Sequence, residues 1–370
     1  MIVHEWSAQT ADAEQEGRRF GAAFADRLHA ARDAYLDMFA RSGVPADVAR
    51  EVADACGAVG EEHAPEVAAE FRGTADASGL SVTDVWLLAS RTEILARMTP
   101  SMECSTVVHV PADGAPPRTL QTWDWHETLS NETVVRRIRT ADGVGIVTFC
   151  EFGQPAKIGV NDQGLGLHFN ILHHDSDGAQ AGVPVHLLAR MILERARTVE
   201  DAARIAASVP LAASSVLTVA AFDGDRAEAA AIEVSPAGIA VLETPRGRTL
   251  AHTNHFLDET LAAGEYSPYE TTTARRYQCL VDAAGLAAIE DDRERALAFG
   301  GIPDAPISVR PRRDQPDHLR WETKLTAALD VAGGALSFAA AAPADVRSAE
   351  WRRVAVEEQR TDPRSDHARR

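Results

Sequence analysis

The sequence predicts an α+β protein, a four-layer αββα sandwich in which two antiparallel sheets lie between helical layers. Three observations carry that expectation. Apolar residues recur at helical spacing from Ala11 to Met98, and short alternating runs separated by Gly, Pro, Asp and Asn fill Thr106 to Leu172. Helical and then strand-like segments recur from Pro184 to Thr253. Strands grouped apart from helices pack as sheets covered on their outer faces.

In order, the first helix spans Ala11 to Arg41, with Phe20, Phe24, Leu28, Ala31, Tyr35 and Phe39 on one side. A second is expected from Pro45 to Phe71. A third starts at Ser81, which has Asp84 three residues on as a capping signature, and ends near Met98. The predicted strands are Thr106–Val110, Leu120–Trp125, Thr133–Arg139, Gly145–Glu151, Ala156–Val160 and Leu165–Leu172. Two helices follow to Ser208, broken at the N-cap Thr198. Strands return at Ser215–Phe222, Glu228–Val234, Ile239–Glu243 and Leu250–Thr253. Helices fill Thr271 to Phe299, and Leu325–Val331 and Ala335–Ala339 complete the strands. From Ser348 the chain reads as a charged, frayed tail. The expected organisation is a helical segment over 1–103, a catalytic unit over 104–347 and a tail over 348–370.

With 370 residues, 45% of them hydrophobic and 25% charged, the chain has the makings of a large globular core. A net charge of −18 argues against nucleic acid as a partner, since phosphates are held by clustered Lys and Arg. No apolar run approaches the roughly 20 residues of a membrane helix, and the start lacks a secretory pattern. The expectation is therefore a cytoplasmic protein with no membrane partner. Cys56, Cys104, Cys150 and Cys279 form no CxxC pair, which suits free thiols in a reducing compartment.

Cys104 stands where helix gives way to sheet, at the head of the first predicted strand. It reads either as a buried strand residue, like Cys150, or as a nucleophile. A thiol with a reference pKa of about 8.5 is little ionised at neutral pH and needs a base. Cutting the Glu103–Cys104 bond would supply one, because the freed α-amine titrates at about 7.7–8.0. The sulfur can make that cut itself, by attacking the Glu103 carbonyl and passing through a thioester. In an uncut chain His126 or His255 would be the base. Arg91, set among Leu87, Leu88, Ile94 and Leu95, either faces water or lines a pocket. His168, His173, His174, Asp175 and Asp177 match no recognised zinc spacing, so neither metal nor cofactor is expected.

The residues Cys104-Ser105-Thr106, Trp123-Asp124, Asn161-Asp162-Gln163-Gly164-Leu165-Gly166, Phe169-Asn170, Gly182-Val183-Pro184 and His252-Thr253-Asn254-His255 form a pattern. Glu16-Gly17, Gly21 and Arg91-Thr92-Glu93 extend it upstream. The set resembles the acyl-coenzyme A:isopenicillin N (6-aminopenicillanic acid) acyltransferase family of N-terminal-nucleophile (Ntn) hydrolases. It is similar, more distantly, to conjugated bile acid hydrolases and acid ceramidase-like amidases. The resemblance implies the Ntn fold, self-cleavage at Glu103–Cys104 and two chains that stay associated. It implies Cys104 as nucleophile, Asp124 beside the new amine and Asn254 as donor to the oxyanion. Thr106 and Asn170 become supporting residues, and His168 and Phe169 line the substrate pocket with Arg91. Arg320 falls where the family holds a substrate carboxylate. The chain departs from the penicillin-forming members at Glu103, where they have Gly, and at Thr122, where they have Asn. The expected reaction is cleavage of the amide bond of a small N-acyl compound, with transfer from an acyl thioester to an amino-acid-like acceptor as the alternative.

Overall fold

The computed structural model describes residues 1–96, 104–266, 271–304 and 306–357. Its first element is a strand, β1 (Ile2–Ser7). The helices α1 (Ala13–Arg41), α2 (Ala46–His63), α3 (Pro65–Ser78), α4 (Val82–Ala89) and α5 (Arg91–Leu95) follow. Next come strands β2 (Ser105–Val110), β3 (Arg118–His126), β4 (Glu132–Arg139), β5 (Gly145–Glu151), β6 (Ile158–Asn161) and β7 (Leu165–Ile171). Helices α6 (Val185–Arg195) and α7 (Val199–Ala207) lead to β8 (Ser215–Phe222), β9 (Ala227–Ser235), β10 (Gly238–Glu243) and β11 (Arg248–His252). The chain continues through α8 (Glu259–Ala262), α9 (Thr273–Asp282), α10 (Asp292–Gly300), β12 (Trp321–Asp330), β13 (Ala335–Ala339) and β14 (Arg352–Ala355).

The expected caps form. The Ser81 hydroxyl accepts the Asp84 N–H at 3.0 Å, and that of Thr198 accepts the Asp201 N–H at 3.0 Å. The second predicted helix, however, is two. Pro65 has no N–H to donate and disfavours helical backbone at the residue before it, so Ala64 turns out to φ −142°, ψ 64° and α3 starts afresh. The third also divides, at Ser90. Its predicted end at Met98 lies outside the described residues, as does Glu103. The predicted helical stretch from Thr271 resolves into α9, a 3-10 turn over Ala284–Ala288, and α10.

Two sheets form. One has the order β1-β4-β5-β6-β7-β8-β9-β10 and the other β11-β2-β3-β12-β13-β14. Neighbours run antiparallel except β1, which pairs parallel with β4. β2, β12 and β13 of the smaller sheet face β5, β6, β7 and β9 of the larger. Helices α6 and α7 cover the outside of the larger sheet, and α9 and α10 that of the smaller, so the four layers are helix, sheet, sheet, helix. The main core fills the space between the sheets and continues beneath the N-terminal helices.

Two of the four edge strands, β1 and β14, were not anticipated. The segment read as a frayed tail supplies β14, whose Val354 is buried against β13. The start of the chain supplies β1. Both are recruited by the backbone groups of a waiting sheet edge, which lie far away in sequence. The N-terminal helices are tied to the larger sheet as well. α1 and α3 approach so closely that a side chain at Gly17 would run into the Glu70 carbonyl. Glu70 itself is buried between Arg136 of β4 and Arg190 of α6. Burial alone would raise its pKa, but the two guanidiniums hold it below the usual carboxylate range.

Candidate active site

Pairing register assembles the site. β11 pairs with β2 so that His252 faces Thr106, and the chain just past β11 therefore runs beside Cys104. There the Cys104 N–H donates to Asn254 Oδ1 at 2.7 Å, across 150 residues of sequence. On the other side of β2, Ser105 faces Thr122, which sets Cys104 next to Trp123 and Asp124 of β3. The β3–β12 pairing shifts register between Thr323 and Leu325, beside Asp124. Such bulges re-aim side chains and recur next to active sites.

Cys104 is buried, and burial pushes its thiol up to about 11. The fully buried Asp124 carboxylate adds to the rise. Lys157, the Asp124 backbone N–H on the sulfur and Arg276 oppose it. In the uncut chain this thiol is therefore largely protonated, and its proton must leave as the sulfur attacks.

Thr106, Asn170, Phe169 and His168 meet across the gap between the sheets, and Gln121 of β3 joins them. Thr106 Oγ1 donates to Asn170 Oδ1 at 2.7 Å. Gln121 Nε2 donates to the same oxygen at 3.2 Å and to the Phe169 carbonyl at 2.6 Å. With two donors on its oxygen, Asn170 must turn its Nδ2 away, and that atom is buried without a partner among the described residues. His168 Nδ1 lies 3.0 Å from Gln121 Oε1, and burial, with a contribution from Arg295, lowers its pKa to about 3. It is neutral rather than a cation.

Arg91 does not face water. It is fully buried, donates from Nε to Glu151 at 3.1 Å, and lies 3.9 Å over the Trp125 ring. Arg320 is half-buried in the loop ahead of β12. Its Nε donates to the Gln315 carbonyl at 2.8 Å, and Nη1 lies 3.6 Å from Glu127. It thus joins the far end of β3, three residues past the β12–β3 partners Thr323 and Asp124. His126 stacks on Trp321 at 3.9 Å between ring centres. His255 Nδ1 lies 2.9 Å from Thr273 Oγ1, and burial, followed by its neighbours His252 and Arg276, lowers its pKa to about 4. Among the described residues no three His, Cys, Asp or Glu side chains gather as metal ligands would.

Three further side chains shape the site without having been singled out from the sequence. Arg276 of α9, fully buried, donates from Nη1 to the Cys104 carbonyl and to Ser105 Oγ, and from Nη2 to Asn254 Oδ1 at 3.0 Å. Lys157, also buried, donates to Glu151 Oε2 at 3.0 Å and sits 4.1 Å over Trp123. Gln121 is the third. Only Lys157 left a readable trace, being a lone lysine in an otherwise apolar predicted strand.

The architecture is a four-layer α+β sandwich, and Cys104 stands at the head of β2 in its smaller sheet. Residues 113–282 match the model of the acyl-coenzyme A:6-aminopenicillanic acid acyl-transferase family, so the resemblance read from the residues is shown over that stretch. A relative from Emericella nidulans, the 40 kDa form of an acyl-coenzyme A:6-aminopenicillanic-acid-acyltransferase, is 27% identical over 215 residues. That match covers 57% of this chain and 58% of the relative, so the chain spans less than two-thirds of its length. Among solved structures, a Caenorhabditis elegans ortholog of N-acylethanolamine-hydrolyzing acid amidase aligns with TM-score 0.42 and 14% identity, over 62% of this chain and 93% of that one. The R18L variant of conjugated bile acid hydrolase from Clostridium perfringens aligns with TM-score 0.41 and 12% identity, over 70% and 100%.

Proposed function

We propose that the chain is a self-processing amidohydrolase of the Ntn type, which cleaves the amide bond of a small N-acyl compound through an acyl-Cys104 thioester. The observation that supports this most directly is the hydrogen bond between the Cys104 nitrogen and Asn254, at the head of β2 with Asp124 alongside. A base positioned at that nitrogen is what an N-terminal nucleophile needs and what a histidine-dependent thiol does not. His255, lowered to about 4, is a poor alternative base.

In this reading Cys104 Sγ attacks the Glu103 carbonyl, and water releases Met1–Glu103. The new amine then accepts the thiol proton while sulfur attacks the substrate carbonyl. Asn254 and the free Nδ2 of Asn170 donate to the oxyanion, a contribution of about 3 kcal/mol per donor. The proton passes to the leaving amine as the adduct collapses, and water hydrolyses the thioester. The enzyme is assigned to the cytoplasm, without a cofactor.

A second reading is transfer of the acyl group from a thioester to an amino-acid-like acceptor. The names of the matched family and of the Emericella nidulans relative, both acyltransferases, favour it. Arg320 would then leave Glu127 for the acceptor carboxylate. Intact-mass measurement tests the common core. Wild type should appear as Met1–Glu103 and Cys104–Arg370, and Cys104→Ala as one inactive chain. Uncut wild type with full amidase activity would sink the mechanism. Amide synthesis outpacing hydrolysis at modest acceptor concentration would select the second reading.

A further inference from the structure

We propose that Arg276 is the positioning residue that sets the base of this reaction: its guanidinium keeps the amine released at Cys104 in its neutral, proton-accepting form and holds Asn254 in its working orientation. The inference rests on the self-processing reading and adds a group that reading does not contain.

Cys104 N and Arg276 Nη2 donate to one atom, Asn254 Oδ1, at 2.7 and 3.0 Å. The two nitrogens thus lie within about 6 Å of each other, a range in which like charges disfavour one another. Nη1 is anchored on the Cys104 carbonyl and Ser105 Oγ, and Nε on Thr272 Oγ1 at 3.0 Å. The guanidinium therefore has no room to swing away when an ammonium appears beside it.

The other charged groups facing Cys104 are Asp124 of β3 and Lys157 ahead of β6. Behind Lys157 lie Glu151 and Arg91, and beside Asn254 lies His255, held neutral by burial. At the nucleophile itself two cations oppose one carboxylate. That balance favours a neutral amine together with a thiolate. When the Cys104 proton moves from Sγ to the α-nitrogen, a net charge is not created; it is only redistributed, and Asp124 is present to receive the ammonium that forms.

Arg276 also fixes the amide of Asn254. Two donors on Oδ1 leave Nδ2 facing the other way, where one hydrogen goes to the Ile171 carbonyl at 2.8 Å and the second remains for an oxyanion. An Asn free to flip would spend part of its time with an oxygen where a donor is required.

The test compares wild type, Arg276→Met and Arg276→Lys by intact mass, thermal melting, and the pH dependence of kcat/KM and of Cys104 alkylation by iodoacetamide. Both variants should still cut themselves, because the amine does not exist before the cut. In Arg276→Met the acidic limb of both profiles should move up by about one pH unit, a tenfold loss on the acid side. In Arg276→Lys, which keeps the charge and loses the fork, the limb should stay in place while kcat falls about tenfold. A folded Met variant with an unshifted limb, or a folded Lys variant that stays uncut, overturns the proposal. If Arg276→Met does not fold, the Lys variant decides alone: an unmoved limb with lowered kcat supports the role, and a limb raised by a unit or an unchanged kcat overturns it. Failure of the underlying reading looks different, since wild type would then be uncut or Cys104→Ala active.

Discussion

Lys157 illustrates how much of this site is set by single buried charges. An ammonium in the gap between two sheets is costly unless paired, and burial lowers its pKa to about 8 even though Glu151 pulls the other way. Its position over Trp123 brings it close enough to Cys104 to favour the thiolate. Lys157→Met should therefore slow alkylation of Cys104 at pH 7 about tenfold and raise the apparent thiol pKa. An unchanged rate in a folded Lys157→Met protein would remove Lys157 from the site. Above pH 8 wild type loses this charge too, so the two proteins should converge there.

Between elements, the contact of α5 with α6 is pH-sensitive. Glu93 of α5 accepts the Val185 N–H at 2.7 Å, at the start of α6, and its other oxygen is buried without a partner among the described residues. Burial raises this carboxyl to about 7. A carboxyl whose folded pKa lies above its unfolded value stabilises the fold when protonated. That stability is full below about pH 4.5 and is lost as pH rises toward 7. Urea unfolding at pH 5, 6 and 7 should show wild type losing on the order of 2 kcal/mol relative to Glu93→Gln across that range. A constant difference between the two proteins would show that Glu93 stays ionised throughout. The same scale explains where local reading of the chain stopped. Ser81 and Thr198 cap helices by bonding three residues away, and such signals are visible in sequence. The break at Ala64 was legible too, in Pro65, but the apolar period ran through it. β1 and β14 had no local signature, because each exists only as the partner of a strand that the chain reaches from a distance.

Across the whole molecule, the segment before Cys104 shares the main core with the rest of the chain. It carries β1 of the larger sheet, and its helices bury Phe20, Phe39, Phe71 and Trp86 in the main core. Each such side chain is worth about 1.5–3 kcal/mol when buried. If the chain cuts itself at Glu103–Cys104 as proposed, the two pieces should co-elute in native size exclusion and separate only in denaturant. Separation at neutral pH without denaturant would show that the shared core does not hold them. No helix among the described residues is long and apolar enough to cross a membrane.

The sequence by itself determined the α+β class, most of the strands and the residues from which the candidate site is built, because periodicity, capping and motif spacing are local and survive without a structure. Cys104, Thr106, Asp124, Asn170 and Asn254 were readable through the resemblance that their motifs carry. Only the tertiary structure decided what surrounds them. Asn254 reaches Cys104 because β11 pairs with β2 in one register, and Arg276 reaches both because α9 lies across that pair. It also turned Arg91 inward onto Glu151 and held Arg320 on Glu127. Charges compete for partners through space, across 150 residues or more, and no period along the chain records which partner wins.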